Sequence, residues 1–103
     1  MITKFIVVNK EFIYTGAKDN TIKKWIFDKK PKCTKTFRGH TNYITDLVEI
    51  DNQNIASSSK DRSIKVWDTS KGACLFTLEG HTRSINCMLY NKELKRLVSG
   101  SFD

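Results

Sequence analysis

The sequence predicts an all-β fold made of tandem four-stranded units, and two observations carry this prediction. The first is a repeat, because Asp19, Asp61 and Asp103 follow one another at intervals of 42 residues and Trp25 and Trp67 are separated by the same interval. The second is that each unit consists of short apolar runs separated by turn residues, without the spacing of an amphipathic helix. We therefore expect four short strands in each repeat.

The second copy contains every element of the repeat. Its predicted strands are YITDLVEI, NIASSS, SIKVWD and ACLFTLE, at residues 43–50, 54–59, 63–68 and 73–79. The turns between them are DNQ, KDR and TSKG. The first copy aligns with it without a gap, and the third has one extra residue in its hairpin. The chain divides into a first repeat over 1–38, a complete repeat over 39–79 and a truncated repeat over 80–103.

Three features of the repeat occur together at fixed places. A Gly-His pair begins the complete repeat at 39–40 and recurs at 80–81, SSSKD ends at Asp61, and Trp67 stands six residues further on. On a four-strand period of about 40 residues, this combination resembles the WD-repeat β-propeller family. The first copy departs from the family pattern because Ile26 stands where an aspartate is usual, and the third copy ends before its tryptophan.

The resemblance implies four-stranded antiparallel blades of a β-propeller in an incomplete ring. A propeller closes with about four to eight blades, whereas this sequence supplies two blades and part of a third. Each repeat depends on its neighbours for burial. We therefore expect a fragment of a larger propeller protein, or a subunit that must assemble to close a ring.

The resemblance also implies a hydrogen-bonded chain of side chains in the complete repeat, formed by Trp67, Ser57, His40 and Asp61. A buried indole N–H needs an acceptor, a hydroxyl accepts while it donates onward, an imidazole relays, and a carboxylate ends the series. The other two repeats hold partial chains, whose members are Thr15, Asp19 and Trp25 in the first and His81, Ser99 and Asp103 in the third.

Serine, histidine and aspartate are also the residues of a hydrolase triad, so Ser57, His40 and Asp61 require a second reading. A nucleophilic serine needs an exposed hydroxyl and an oxyanion hole, which a serine committed to a buried indole lacks. We therefore expect no enzyme, and no cofactor or metal, since no phosphate-binding loop or metal-ligand spacing is present. The three cysteines, an odd number without a Cys-x-x-Cys pair, are interpreted as small buried residues in a reducing compartment.

The favoured function is that of a non-catalytic protein–protein interaction scaffold or adaptor, because the resembling family uses its rings as binding platforms. The resemblance places recurring contact positions before each turn aspartate and around the start of each first strand. These candidate partner-binding residues are Lys18, Thr41, Tyr43, Lys60, Thr82, Ser84 and Phe102. Lysines beside aromatic rings would suit an acidic peptide with an apolar anchor.

The net charge of +7 leaves an alternative open. Residues 1–38 contain ten Lys and Arg against three acidic residues, whereas the remainder is balanced at eight of each. This basic third would suit an RNA or ribonucleoprotein component, although its lysines are not interleaved with the arginines and aromatic rings that stack on bases. The apolar stretch FIVV is too short for a signal peptide or a membrane span. We expect an intracellular protein, cytoplasmic or nuclear, without a membrane partner.

Overall fold

The computed structural model describes residues 2–8, 12–27, 29–51, 53–79, 85–91, 93 and 96–101. For 2–8, 27, 85–91 and 96–101 it describes the backbone alone. Every regular element in this part of the chain is a β-strand, which confirms the all-β prediction. The described residues include no helix long and apolar enough to cross a membrane.

Ten strands follow one another along the chain. They are β1 (Ile2–Val8), β2 (Phe12–Ala17), β3 (Ile22–Phe27), β4 (Pro31–Phe37), β5 (Ile44–Glu49), β6 (Asn54–Ser59), β7 (Ser63–Asp68), β8 (Ala73–Glu79), β9 (Ile85–Asn91) and β10 (Arg96–Ser101). Strands β1 to β4 form one antiparallel sheet in chain order, called blade 1, and β5 to β8 form a second, called blade 2. Strands β9 and β10 form an antiparallel pair, and β9 lies against β5 and β6.

The two blades share their irregularities as well as their strand order. In each blade the register shifts once in the first strand pair and once where the third strand meets the fourth, next to the tryptophan. As a result Trp25 lies opposite Cys33 in blade 1, and Trp67 lies opposite Cys74 in blade 2. A bulge bends a strand and increases its twist, so both blades curve at the same place. The blades are therefore structural repeats in detail.

The tight turn between the second and third strands is also repeated. In blade 1 the Asp19 carboxylate accepts hydrogen bonds from the backbone N and the hydroxyl of Thr21, at 3.0 and 2.6 Å. In blade 2 Asp61 accepts the same pair from Ser63, at 2.9 and 2.6 Å. The residue between them is left-handed in both turns, with φ of 72° and 74°. An aspartate side chain that binds the backbone two residues on stabilises such a turn.

The hydrophobic core lies between the blades. Its side chains are at most 2% exposed, and they are Tyr14, Ile22, Phe37, Ile44, Leu47, Ile55 and Trp67. The Phe37 ring lies between two other rings, with its centroid 6.1 Å from that of Tyr14 and 5.7 Å from that of Trp67. Gly16 allows this approach, since a Cβ added there would overlap the side chain of Ile44. The face of blade 1 that bears Tyr14 thus packs on the face of blade 2 that bears Trp67.

The opposite face of blade 2 is covered only in part. Ala56 and Ile64 are buried there, but on the outer strand Phe76 is 63% and Leu78 is 49% exposed. By register, Leu78 occupies the position in blade 2 that Phe37, 1% exposed, occupies in blade 1. The same sheet position is therefore buried in blade 1 and half-exposed in blade 2.

We expect Phe37→Ala to lower the free energy of unfolding by about 3–5 kcal/mol, because it leaves a cavity between the rings of Tyr14 and Trp67. Leu78→Ala is the matched control at the equivalent position, and it should cost less than about 1 kcal/mol because Leu78 is half-exposed. Urea unfolding followed by tryptophan fluorescence measures both values. Equal losses would contradict the packing described for the two blades.

Candidate partner-binding site and the hydrogen-bonded chain beneath it

Trp67 is buried at the interface between the blades with its polar atom satisfied. It lies on β7 opposite Ile55 and is 1% exposed. Its indole Nε1–H donates to the Ser57 hydroxyl oxygen at 2.8 Å. The two residues belong to neighbouring strands of blade 2, so the sheet register brings the donor to its acceptor. An indole buried without that acceptor would cost free energy.

His40 continues the chain from Ser57 to Asp61. Its Nε2 is 2.6 Å from the Ser57 hydroxyl oxygen, and its Nδ1 is 2.7 Å from Asp61 Oδ2. The indole can only donate, so the Ser57 oxygen accepts from it and the Ser57 O–H is left to donate to Nε2. That assignment places the ring proton of His40 on Nδ1, where it is donated to the carboxylate.

The environment of His40 favours this neutral form. Burial lowers the pKa of the imidazole and outweighs the opposing effect of the Asp61 carboxylate, and Lys65 lowers the pKa further. Within the described side chains, every buried polar atom has a hydrogen-bond partner. Every donor and acceptor in this hydrogen-bonded chain of side chains therefore has a partner.

Asp61 joins the buried chain to the surface loop that precedes β5. Its Oδ2 accepts the backbone N–H of Thr41 at 3.1 Å, while its other oxygen holds the turn through Ser63. Burial opposes ionisation of Asp61, but the hydrogen bonds from Ser63, His40 and Thr41 outweigh it and hold the pKa of the carboxyl below its usual value. A single ionised carboxylate thus fixes two segments of blade 2 against each other.

Ser59 fastens the same loop a second time. Its hydroxyl donates to the carbonyl of Asn42 at 3.0 Å and accepts the backbone N–H of Asp61 at 3.0 Å. The backbone N–H of Lys60 donates to the carbonyl of Tyr43 at 3.0 Å. Tyr43 and Lys60 are therefore held side by side by the backbone itself.

Ser57, His40 and Asp61 are hydrogen-bonded in the order of a hydrolase triad, but the serine is not accessible to a substrate. Ser57 is 0% exposed, and its hydroxyl oxygen already accepts the indole N–H of Trp67. A nucleophilic serine must reach a substrate carbonyl, and this one cannot while Trp67 lies against it. No group of three potential metal ligands occurs among the described side chains.

Blade 1 holds a shorter version of the chain. Trp25 Nε1–H donates to the Thr15 hydroxyl oxygen at 2.9 Å, as Trp67 does to Ser57. Asp19 binds its own turn through Thr21. In the third repeat, His81 and Asp103 lie outside the described residues, as does the side chain of Ser99, whose backbone is part of β10.

The structure brings three of the candidate partner-binding residues together. The Nζ atoms of Lys18 and Lys60 lie 5.5 and 5.2 Å from the centroid of the Tyr43 ring, within the range of cation–π contacts. Lys18 belongs to a turn of blade 1, whereas Tyr43 and Lys60 belong to blade 2. Thr41 is exposed next to them. The remaining candidates, Thr82, Ser84 and Phe102, lie outside the described residues.

We call Lys18, Thr41, Tyr43 and Lys60 the turn face. Tyr43 is 37% exposed, so a partner can reach it. Two ammonium groups from adjacent blades converge on this ring, which offers charge for a carboxylate and an apolar surface for a neighbouring side chain. The two lysines share one ring only because the blades pack together.

Two features of the site did not follow from the sequence reasoning. Ser63 supports Asp61, and the Asp-x-Ser/Thr spacing that it shares with Asp19 and Thr21 could have identified it. The prediction that the cysteines are buried is wrong for Cys33 and Cys74, which are exposed. Both lie on the outermost strand of their blade, where the sheet ends.

We expect acid to destabilise the chain first through His40. Its pKa is lowered below 6.5, so below about that pH the unfolded chain binds the proton more readily and stability falls as the pH falls. The pKa of Asp61 is lowered below 3.8, so its contribution is present above that value and is lost only at lower pH. The urea midpoint of unfolding should therefore fall as the pH is lowered from about 7.5 to about 5.

The sequence has two histidines, which supplies the control for this pH dependence. His40→Gln should flatten the slope between about pH 7 and about pH 5, because the titrating group is removed. His81→Gln should leave the slope steep. A slope that survives in His40→Gln would show that another group carries it.

We expect Ser57→Ala to cost about 1–3 kcal/mol of unfolding free energy, because it leaves the indole N–H of Trp67 and Nε2 of His40 without their partner. Thr15→Ala makes the same deletion in blade 1, where Trp25 is only half-buried and water can replace the lost acceptor. Its cost should be smaller, as measured by urea unfolding. A larger cost for Thr15→Ala would contradict the central place of the blade 2 chain.

Comparison with known proteins assigns the family. The family model of the WD domain, G-beta repeat (WD40), matches residues 31–68 and 72–103, which together make up more than half of the chain. Coatomer subunit beta' of Rattus norvegicus is 43% identical over 81 residues, or 75% of this chain and 9% of the relative. The Drosophila melanogaster coatomer subunit beta' is 38% identical over 79 residues, or 73% of this chain and 9% of the relative.

A third relative is an uncharacterized WD repeat-containing protein of Schizosaccharomyces pombe. It is 40% identical over 79 residues, which cover 74% of this chain and 21% of the relative. The chain thus spans a small part of the length of each relative. The matched repeats, the two four-stranded blades and the tryptophan-centred chain agree with one another, and the chain belongs to the WD40 repeat family.

Proposed function

We propose that the chain forms part of a non-catalytic protein-interaction scaffold, and that its turn face binds an acidic peptide with one apolar side chain. The observation that carries the proposal is the convergence of Lys18 and Lys60 on the exposed ring of Tyr43. Opposite charge attracts and orients a peptide, while burial of an aromatic ring contributes affinity. The apolar side chain would pack on the ring, and its acidic neighbours would meet the two ammonium groups.

The rigidity of the site supports this proposal. Thr41, Tyr43 and Lys60 are tied through Asp61 and the backbone to a buried network, so little ordering is needed when a partner binds. Such preorganisation reduces the entropy cost of association. Lys18 alone comes from the neighbouring blade, which makes the packing of the blades a condition for binding.

The relatives support the scaffold role in general terms. The names of two of them describe a coatomer subunit, that is, a component of an assembly. A serine that is buried under an indole supports the non-catalytic part of the proposal. No observation on the described residues favours the alternative of RNA binding. An intracellular location stays a prediction.

We further propose that the scaffold needs additional blades, from a longer chain or by self-assembly. The support is the outer part of blade 2, where Phe76 and Leu78 are exposed, although Phe37, the blade 1 equivalent of Leu78, is buried. Burial of such side chains stabilises neighbouring repeats against each other. Light-scattering mass of the purified chain distinguishes a ring of several copies from a single copy.

A labelled peptide in which one leucine is flanked by glutamates tests the turn face, with a glutamine peptide as its counterpart. We expect fluorescence anisotropy to show binding of the acidic peptide that weakens with salt. Lys18→Gln and Lys60→Gln should each reduce affinity by about fivefold, since each removes one charge next to the ring. Tyr43→Ala should also reduce it by removing the apolar contact.

Lys71→Gln provides the control, because Lys71 is an exposed lysine in the β7–β8 turn, at the other end of blade 2. It should leave the affinity unchanged. An equal loss in all three lysine variants would show attraction to net charge alone. Binding that survives Tyr43→Ala and both turn-face lysine variants would overturn the proposed site.

A further inference from the structure

The outer edge of blade 1 carries a second group of cations, separate from the turn face. Lys24 lies on β3, Lys32 and Lys35 on β4, and Lys29 and Lys30 in the turn between these strands. By register, Lys24 lies opposite Lys35, and Lys32 lies opposite Ile26. These five lysines therefore follow one hairpin at the end of the sheet away from the turn face.

Blade 2 shows that the fold does not require these lysines. It builds the same third and fourth strands with the same bulge, yet the positions equivalent to Lys24, Lys32 and Lys35 are Val66, Ala73 and Phe76. In the blade 2 turn only Lys71 is basic. Of the two blades, blade 1 thus carries this concentration of charge and blade 2 does not, so the fold of a blade does not explain it.

Lys24 lies in crowded surroundings, close to two aromatic rings and to a second lysine. Lys24 Nζ lies 4.1 Å from the centroid of the Phe12 ring and 5.9 Å from that of Tyr14. Burial and the neighbouring charge of Lys35 lower the pKa of Lys24. An anion bound between these lysines would relieve their mutual repulsion.

The hairpin also forms a concave surface. A cleft of about 400 Å³ is lined by Ile26, Lys29, Lys30, Pro31 and Lys32. Its lining therefore combines two apolar residues, Ile26 and Pro31, with three lysines. A cleft of this size accommodates an aliphatic side chain.

The last element is the edge of β4. This strand is the last in the order of its sheet, so none of the described strands lies beyond it. An exposed edge accepts an added strand through backbone hydrogen bonds. Lysines at an edge repel another basic strand, including β4 of a second copy, and admit an acidic one.

From these observations we infer that the β3–β4 edge of blade 1 is a docking strip for an extended acidic peptide, which adds to β4 as a strand and places one aliphatic side chain in the cleft. The peptide backbone pairs with β4, and its carboxylates meet Lys32 and Lys35. The inference does not depend on the turn face. Nucleic acid fits less well, because no exposed aromatic ring lines the described cleft for base stacking.

The test uses a fluorescent peptide of alternating glutamate and valine with the seven-residue length of β4. Its binding to the chain is compared with that of the triple variant Lys29→Gln, Lys32→Ala, Lys35→Gln. The alanine is the residue that blade 2 has at that position, so the fold should be kept, and the urea midpoint verifies this. We expect affinity to fall by about tenfold or more, because three charges next to the peptide are lost.

Both proteins are measured with Lys18 and Lys60 also changed to Gln, which removes the turn face as a second site for the acidic peptide. This background should retain strip binding, so failure of the strip and failure of the turn face give different results. N-methylation of alternate backbone amides of the peptide should weaken binding by a similar factor, because it blocks strand addition. Unchanged affinity in the strip variant, or indifference to N-methylation, would overturn the inference. Tighter binding of oligouridylate or of phosphatidylserine vesicles than of the peptide at the same lysines would also overturn it.

Discussion

The structure depends first on the burial of one indole with its hydrogen bond satisfied. Trp67 fills the space between the blades, and its N–H can be buried only because Ser57 accepts it and His40 accepts from Ser57 in turn. This series of hydrogen bonds ends at Asp61, an ionised group that also holds the loop and the turn at the surface. One set of contacts therefore connects the packing of the core to the shape of the turn face.

The two blades act as an internal comparison that separates what the fold requires from what it permits. The tryptophans, their hydroxyl acceptors, the turn aspartates and the bulges occur in both blades. The outer edges differ, with lysines on blade 1 where blade 2 has Val66, Ala73 and Phe76. The required positions are in the interior and at turns with special backbone geometry, whereas the outer edges are free to serve binding or assembly.

The local pattern of the sequence predicted the strands well. Three strands of the complete repeat, β6, β7 and β8, have the predicted bounds, and β5 is shorter by one residue at each end. Apolar alternation and turn residues act over a few positions, which is why they suffice for this purpose. The exposure of Cys33 and Cys74 was missed, because whether an outer strand is covered depends on a neighbouring blade. For the same reason the sequence did not show that Lys18 and Lys60 share the ring of Tyr43, since residues from two blades meet there only after the blades pack.

The most direct test of this account is nitrogen-resolved NMR of the His40 and Trp67 side chains at neutral pH. The hydrogen-bonded chain predicts a neutral His40 with its proton on Nδ1 and a bare Nε2. It also predicts that the indole proton of Trp67 exchanges slowly with solvent. A charged ring, or a proton on Nε2, together with indole exchange as fast as that of an exposed tryptophan, would contradict the claim that this chain anchors the blade.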